Sequence, residues 1–295
     1  MDATTSGERT SAVHQWPPLE ALLRVDARMS EWATTPFRRL AYEFLRFGVK
    51  QAWACLFGGI MVMLLMLTHL AYPADALLTR YDFLVLASIG VQGVLIAFRL
   101  ETLEEAKVIF AFHVVGTVME IFKTRMGSWV YPEPGLLRIA GVPLFTGFMY
   151  ASIGSYIVRA WRLFRFRFTK YPPVWTTVLL SCGIYFNFFW HHYGPDLRWL
   201  LFGGIAVLYG PTWIHFTIHR HPRRMPLVVA ALLVTLFIWF AENIGTFTHT
   251  WRYPSQRDGW HMVPLAKLGS WYLLMIISAV LVSLVHRPRA PDEHD

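Results

Sequence analysis

Long apolar segments alternate with short polar ones along most of the chain. Each apolar segment contains few charged residues and has about 20 residues, the length that a helix needs to cross a hydrocarbon core roughly 30 Å thick. The pattern therefore predicts an all-α integral membrane protein. We place eight transmembrane helices at residues 51–71, 82–98, 107–123, 139–159, 173–190, 197–217, 225–243 and 263–285.

The composition agrees with this pattern. Hydrophobic residues make up 55% of the 295 residues and charged residues only 16%, which excludes a disordered or fibrous protein. The two cysteines lie far apart in separate apolar segments, so they form neither a disulfide framework nor a cysteine-rich metal site. The sequence contains no phosphate-binding glycine loop, nucleophile elbow or His-Glu-x-x-His zinc helix. We therefore expect no cofactor and no metal.

The basic residues predict the orientation. With a cytoplasmic N-terminus, eight of the 27 Lys and Arg residues fall in outer segments and the other 19 fall in cytoplasmic ones, in agreement with the positive-inside rule. Both termini are then cytoplasmic, in a multi-pass membrane protein. The formal net charge of +8 reflects this topology and anionic membrane lipids, and we expect no nucleic-acid partner. The outer residues are Arg80, Lys123, Arg125, Arg138, Arg198, Arg252, Arg257 and Lys267.

The polar segments divide the chain into five parts. Thr35 and Pro36 are suited to begin an amphipathic interfacial helix that leads into the first span. A helix that binds a partner protein is the alternative for this segment. The predicted parts are a cytoplasmic N-terminal segment (1–50), a first membrane repeat (51–159), a basic cytoplasmic linker (160–172), a second membrane repeat (173–286) and a disordered tail (287–295).

The two membrane parts share a motif. Residues 120–132 (the first motif) match residues 242–254 (the second motif) at a constant separation of 122 residues, and a Val-Pro-Leu sequence follows each motif. Four spans separate the motifs, so both are expected on the outer face, as in a parallel repeat of two four-helix units. The matching pairs are Glu120 and Glu242, Thr124 and Thr246, Trp129 and Trp251, Tyr131 and Tyr253, and Pro132 and Pro254.

Glu120 and Glu242 are the candidate catalytic residues. A carboxylate in hydrocarbon is costly, so it persists mainly where it faces the bundle interior, a cavity or a partner. Two such acids in one dry cavity are suited to share a proton, with one acting as acid and the other as base. The alternative is structural: each Glu caps its span, binds a neighbouring helix or pairs with a nearby basic residue.

The side chains that match between the two motifs are candidate substrate contacts. Aromatic side chains collect at membrane interfaces in many proteins. At a fixed spacing from an acid, they are also suited to line an apolar cavity and to stabilise a carbocation. We assign substrate binding to Thr124, Trp129, Tyr131, Thr246, Trp251 and Tyr253.

Two histidines extend this candidate site. His113 lies two helical turns before Glu120 on the same face, and His249 lies within the second motif. A buried structural histidine is the simpler interpretation of His113. The pairs His191-His192 and His215 with His219 resemble part of a di-iron histidine box, but the predicted topology places them at opposite ends of helices. We therefore expect no metal centre.

Over most of its length the chain resembles the YoaT-like family of bacterial integral membrane proteins. The stretch 120–135 and the sequence Ile-Ala-Gly-Val-Pro-Leu-Phe at 139–145 carry this resemblance, which implies no particular activity. The motifs alone are similar to polytopic lycopene cyclases and carotenoid hydratases, in which a Glu precedes a Gly-x-Trp/Phe-x-Tyr loop. Here Gly127, Trp129 and Tyr131 match that loop, whereas His249 replaces the glycine in the second motif. The Pro-x-Glu-Glu element of those cyclases is missing.

Three functions are compatible with these observations. The first is an enzyme that acts on an apolar isoprenoid or carotenoid-like lipid by carboxylate acid–base chemistry, through cyclisation, isomerisation or hydration. The second is a transporter in which the paired acids couple proton movement to a small solute. The third is a structural membrane protein. Membrane lipids and an apolar small molecule are the expected partners, and the sequence does not indicate an oligomeric state.

Overall fold

The computed structural model describes residues 34–98, 100–101, 103–219 and 222–291. Predictions for residues 1–33 and 292–295 lie outside this part. The chain divides into two compact units, residues 1–49 and residues 50–295.

The first unit contains the start of helix α1 (Pro36–Ala54). The helix begins at the predicted position, where the Thr35 carbonyl accepts the Arg39 N–H at 2.9 Å. Phe37 and Phe44 are exposed for 79% and 76% of their surface. Exposed aromatic residues among arginines are typical of a helix that lies in a membrane interface.

Within the described residues, a helix lies at each of the eight predicted spans. Thr79 begins the second of these helices, because its side-chain oxygen accepts the backbone N–H of Asp82 at 3.3 Å. The helices are α2 (Leu56–Ala71), α3 (Arg80–Ala97), α4 (Leu103–Arg125), α5 (Phe145–Phe164), α6 (Val174–Trp190), α7 (Arg198–Tyr209), α8 (Leu227–Phe247) and α9 (Ala266–Val285).

Three of these helices, α3, α8 and α9, are long and apolar enough to cross a membrane, judged over the described residues. A fourth candidate span arises if α1 and α2 are counted together as one bent span. Helices α6 and α7 are apolar but shorter. The described part of the chain is therefore mostly helical and has three or four candidate membrane spans.

The sixth predicted span, 197–217, is helical only in its first part. Helix α7 ends at Tyr209, shortly before Pro211, because proline lacks an N–H and restricts the residue before it. With 12 residues, α7 extends about 18 Å, which is shorter than a hydrocarbon core of roughly 30 Å. The β-branched and aromatic residues that follow form a strand instead.

Short strands correct the expectation of an all-α chain. In the described part, β1 (Arg138–Ile139) and β2 (Val142–Pro143) form a hairpin before α5. A second, antiparallel sheet has the order β3-β4-β5. Its strands are β3 (Arg167–Thr169), β4 (Trp213–Thr217) and β5 (Pro222–Pro226). The predicted linker 160–172 thus supplies a strand, and the Phe168 N–H donates to the Arg289 carbonyl in the tail at 2.8 Å.

A buried ion pair joins helix α5 to the segment that precedes α4. Arg159 and Glu101 are 1% and 3% exposed, and Nη2 of Arg159 lies 3.0 Å from Oε1 of Glu101. Ser155 donates to the same oxygen at 2.7 Å, and Gln92 donates to Oε2. Buried charges require this kind of pairing, so the cluster fixes α3 and α5 around Glu101.

The apolar interior of the second unit contains two large clusters. One surrounds Ile205, Ile276 and Val282 and is mainly aliphatic. The other contains the tryptophans and tyrosines of both motifs together with Val142 and Val263, which begin the two Val-Pro-Leu sequences. This second cluster positions the candidate site.

Candidate active site

Both motifs leave their helices through the same backbone turn. The Gly127 N–H donates to the Thr124 carbonyl, and the His249 N–H donates to the Thr246 carbonyl, each at 3.1 Å. Gly127 and His249 have left-handed φ angles of +68° and +55°. Glycine adopts this conformation easily, whereas histidine pays a steric cost for it. His249 therefore takes the structural place of the glycine.

The two motif loops pair with each other through matching residues. The Val130 N–H donates to the Arg252 carbonyl, and the Arg252 N–H donates to the Val130 carbonyl, both at 3.0 Å. These residues are 122 positions apart, the separation of the two motifs. A reciprocal contact between matching residues is typical of a two-fold relation. The pairing brings the two acidic motifs to one end of the second unit.

Glu120 is buried and accepts hydrogen bonds from three aromatic side chains. It is 5% exposed. Its Oε2 accepts the Trp129 indole N–H at 2.8 Å and the Tyr131 hydroxyl at 2.5 Å. Its Oε1 accepts the hydroxyl of Tyr150, on α5, at 2.8 Å. The motif loop and the following helix thus hold the carboxylate from two sides.

Glu242 has a matching environment. It is 3% exposed. The Tyr253 hydroxyl donates to its Oε1, and the Trp271 indole N–H donates to its Oε2. Trp271 is on α9, just as Tyr150 is on α5.

Tyr150 and Trp271 occupy matching positions in the two parts of the chain. Each lies eight residues after the valine of Val-Pro-Leu, at Val142 and Val263. Neither residue is among the predicted site residues, because the motif match ends at the start of the following helix. The sequence does contain a signal for them, because aligning the two Val-Pro-Leu sequences also aligns Tyr150 with Trp271.

Aromatic contacts connect the two carboxylates. The ring centroids of Trp129 and Tyr253 lie 5.9 Å apart, and those of Tyr150 and Trp271 lie 6.2 Å apart. In each pair, one ring donates to Glu120 and the other donates to Glu242. The two acids therefore belong to one buried aromatic cluster.

The motif tyrosines keep their protons. The pKa of Tyr131 is raised well above its ordinary value, mainly by burial and to a smaller extent by the nearby Glu120 carboxylate. Burial and the Glu242 carboxylate do the same to the pKa of Tyr253. Both tyrosines therefore stay protonated at neutral pH, and each hydroxyl is able to donate a hydrogen bond.

The start of α3 clamps both motif loops. Arg80 donates to Oε1 of Glu133 at 2.5 Å and to Oγ1 of Thr250 at 3.1 Å. The neighbouring Tyr81 hydroxyl donates to the Thr250 carbonyl at 2.7 Å. Asp82 accepts the backbone N–H of Leu137 at 2.7 Å. The sequence indicated only an outer, topology-setting charge for Arg80, and its contacts with the two loops were not predicted.

Trp251 differs from its counterpart Trp129. A Cβ atom added to Gly245 would lie 1.9 Å from the Trp251 ring, so the indole packs directly on the glycine backbone. The position that matches Gly245 in the first motif is Lys123. Trp251 is thus buried against the backbone of α8 and does not bind Glu242. Trp271 supplies the indole donor to Glu242 instead.

The other predicted site residues lie around this cluster. Thr246 accepts the indole N–H of Trp260 at 3.1 Å, and Oγ1 of Thr124 is buried without a hydrogen-bond partner among the described residues. His113 packs on Phe148, with ring centroids 4.6 Å apart. The ring of His249 packs on His69, 5.7 Å away. The described hydrogen bonds join neither His113 nor His249 to a glutamate.

No group of three or more His, Cys, Asp or Glu side chains in the described ranges is arranged to hold a metal ion. The residues that converge on Glu120 and Glu242 are tyrosines and tryptophans. Hydroxyl and indole N–H groups donate to carboxylates, so this set is suited to control protons.

Comparison with known proteins gives two matches. The model of a protein family described as "Protein of unknown function (DUF817)" matches residues 43–279. The chain is 42% identical over 245 residues to "Uncharacterized protein YoaT" of Bacillus subtilis (strain 168), and the match covers 83% of this chain and 92% of the relative. No solved structure matches the chain.

Proposed function

We propose that this chain, which belongs to the DUF817 family of proteins of unknown function, is a multi-pass membrane enzyme that moves protons on an apolar, isoprenoid-type lipid. The single observation that carries the proposal is the pair of buried glutamates, each held by aromatic donors from matching positions. The reaction is a cyclisation, isomerisation or hydration of a carbon–carbon double bond, with Glu120 and Glu242 as acid and base.

In this proposal, eight helices lie within the bacterial inner membrane as two parallel four-helix units, with both termini in the cytoplasm. Helices at the eight predicted positions support this arrangement. The pairing of the two motif loops at one end supports the parallel relation of the units. The short helix α7 then crosses only part of the hydrocarbon core.

The hydrogen bonds indicate where each glutamate holds a proton. An indole N–H donates and cannot accept, so Oε2 of Glu120 (facing Trp129) and Oε2 of Glu242 (facing Trp271) serve as acceptors. Each Oε1 faces a tyrosine hydroxyl, which either donates or accepts. A proton is therefore held best at Oε1 in both residues.

The proposed reaction begins with transfer of an Oε1 proton to one carbon of a double bond. The π electron pair forms the new C–H bond, and the positive charge develops on the adjacent carbon. The second, ionised glutamate then removes a proton from a neighbouring carbon, or from a water molecule that attacks the cation. The first route gives isomerisation or, after ring closure, cyclisation, and the second gives hydration.

The aromatic cluster is suited to stabilise this cation. Nζ of Lys267 lies 4.5 Å from the centroid of the Tyr253 ring and 5.6 Å from that of Trp129. These rings therefore present faces that attract positive charge, and a carbocation is expected at a ring face that Lys267 does not cover.

The proposal is tested by analysis of lipids that purify with the protein. We expect the wild-type protein to carry product, and the Glu120→Gln/Glu242→Gln double variant to carry the unconverted lipid. Mass spectrometry of extracts from both proteins, purified in the same detergent, measures this. Extracts that match the bulk membrane lipids for both proteins would refute the proposal.

A proton-coupled transporter is the second candidate function. It is favoured by the buried Glu101–Arg159 pair, because α5 carries both Tyr150, which binds Glu120, and Arg159, which binds Glu101. A polar track along one helix is typical of transporters. Proton uptake by proteoliposomes that depends on a solute, with unchanged lipid mass, would favour this function.

A further inference from the structure

We propose that the substrate lipid carries a phosphate headgroup, and that Lys123 and Lys267 bind this phosphate beside the glutamate pair. This inference rests on the proposed function for the lipid nature of the ligand. The phosphate site itself rests on a cluster of three basic side chains, Lys123, Arg198 and Lys267.

Four helix ends meet beside the aromatic cluster and bring basic residues together. Lys123 is in the last turn of α4, Arg198 begins α7, and Lys267 is the second residue of α9. His191 and His192 directly follow α6. The three cations lie close enough to act electrostatically on one another.

Lys123 is a buried cation with no carboxylate at ion-pair distance among the described residues. It is 7% exposed, and Nζ lies 3.2 Å from Nε2 of His191 and 2.9 Å from Nε2 of His192. His191 uses its Nδ1 to contact the Asn187 carbonyl at 2.8 Å, which leaves Nε2 as an acceptor for Lys123.

The neighbouring histidines do not neutralise Lys123. The pKa of His192 is lowered to about 4, mainly by burial and to a smaller extent by the charge of Lys123. The His192 ring is therefore neutral at pH 7. An ammonium group has three N–H donors, and two of those on Lys123 face histidine nitrogens. The third donor remains for a ligand.

The nearby carboxylates are already engaged. Asp196 acts electrostatically on Lys123, and Glu242 acts on Lys267. Asp196 itself pairs with Arg198 at 3.1 Å, and Glu242 accepts from Tyr253 and Trp271. Among the residues that the structure describes, no carboxylate oxygen lies within 4.0 Å of the ammonium of Lys123 or Lys267. A buried or half-buried positive charge of this kind is stabilised by an anion.

The surroundings favour a lipid headgroup over a free small anion. Phe188 lies under the Lys123 ammonium, 4.3 Å from Nζ. Tyr193, Trp199 and Leu200, which follow in the adjacent loop and on α7, are 69%, 81% and 71% exposed. These side chains give an apolar surface on which a prenyl chain would lie while its phosphate faces the two lysines.

The position of Lys267 connects the phosphate to the chemistry. Its ammonium lies over the rings of Tyr253 and Trp129, which donate to Glu242 and Glu120. A phosphate at Lys267 would therefore hold the double bond nearest to it against the glutamate pair. The substrate class is a prenyl phosphate, a phosphate ester of an unsaturated isoprenoid alcohol.

The test is equilibrium binding of radiolabelled geranylgeranyl phosphate to the purified full-length protein in a neutral detergent. We expect Lys267→Met and Lys123→Met to weaken binding by at least about tenfold. Lys267→Arg should retain binding because it keeps the charge. Lys107→Met, at the other end of α4, is the matched control and should bind like the wild type.

Competition identifies the ligand. Unlabelled geranylgeraniol and inorganic phosphate should each compete far more weakly than geranylgeranyl phosphate. Equal competition by geranylgeraniol, or wild-type binding by folded Lys267→Met, would overturn the phosphate site. Equal competition by inorganic phosphate would overturn the lipid headgroup. The Glu120→Gln/Glu242→Gln variant should still bind, so loss of turnover and loss of binding are distinguishable.

Discussion

Replacing Glu120 or Glu242 with glutamine is expected to reduce turnover of the lipid substrate by roughly 10²–10⁴-fold, the usual contribution of a general acid or base. A glutamine cannot transfer a proton as a carboxylic acid does. Turnover is measured as the conversion of the co-purifying lipid, followed by mass spectrometry.

The hydrogen bonds explain why glutamine should preserve the fold. At Glu120, the amide oxygen can replace Oε2 and accept from Trp129 and Tyr131, while the amide NH₂ faces the Tyr150 hydroxyl as a donor. At Glu242 the same arrangement satisfies Trp271 and Tyr253. Leucine would instead leave two or three buried donors unsatisfied, each at a cost of about 1–3 kcal/mol.

Glu133→Gln is the matched control for these variants. Glu133 lies at the same end of the second unit and pairs with Arg80, without an aromatic donor among its described hydrogen bonds. Turnover by the Glu133→Gln variant should stay within a few fold of the wild-type value. If Glu120→Gln and Glu242→Gln also turn over at the wild-type rate, the two acids have no part in the chemistry.

Arg159→Met should destabilise the protein by about 3–5 kcal/mol, because it leaves the buried Glu101 carboxylate without its cation. Ser155 and Gln92 still donate to Glu101, but neither carries a charge. The free energy of unfolding in detergent, measured by denaturant titration, gives this loss.

The double variant Arg159→Met/Glu101→Gln should recover much of the lost stability, because it removes both charges. Arg198→Met is the control at a partly exposed pair, where Arg198 is 29% exposed, and a loss below about 1 kcal/mol is expected there. Arg159→Met with wild-type stability would show that the Glu101–Arg159 pair does not hold α3 and α5 together.

Hydrophobic patterning located the helices because apolar length is a local property of the sequence. The positions at which the helices end were less predictable. Pro211 ends the sixth helical segment early, and Trp213–Thr217 pairs with strands from two other parts of the chain. Such pairing depends on distant segments, which no local pattern reveals.

The motif match located the two acids and their tyrosines for a similar reason. Matching residues of a duplicated sequence were expected near each other, and Val130 pairs with Arg252. The donors Tyr150 and Trp271 were missed because they reach the acids only through helix packing. Lys267 was counted as an outer charge, although its contacts place it over the motif aromatics.

The central claim is that the two motif loops pair and thereby bring Glu120 and Glu242 into one buried aromatic cluster. Cysteines at Val130 and Arg252, in a chain with Cys55 and Cys182 replaced by serine, test this pairing directly. Residues that exchange both backbone hydrogen bonds have Cα atoms about 5.5 Å apart, within the range of a disulfide.

The decisive measurement is therefore mass spectrometry of peptides from the double-cysteine variant after mild oxidation, or after treatment with a short thiol cross-linker, in native membranes. The account predicts an intramolecular link between positions 130 and 252, and none in either single-cysteine variant. Free thiols at both positions under both treatments, in protein that is folded and inserted, would contradict it.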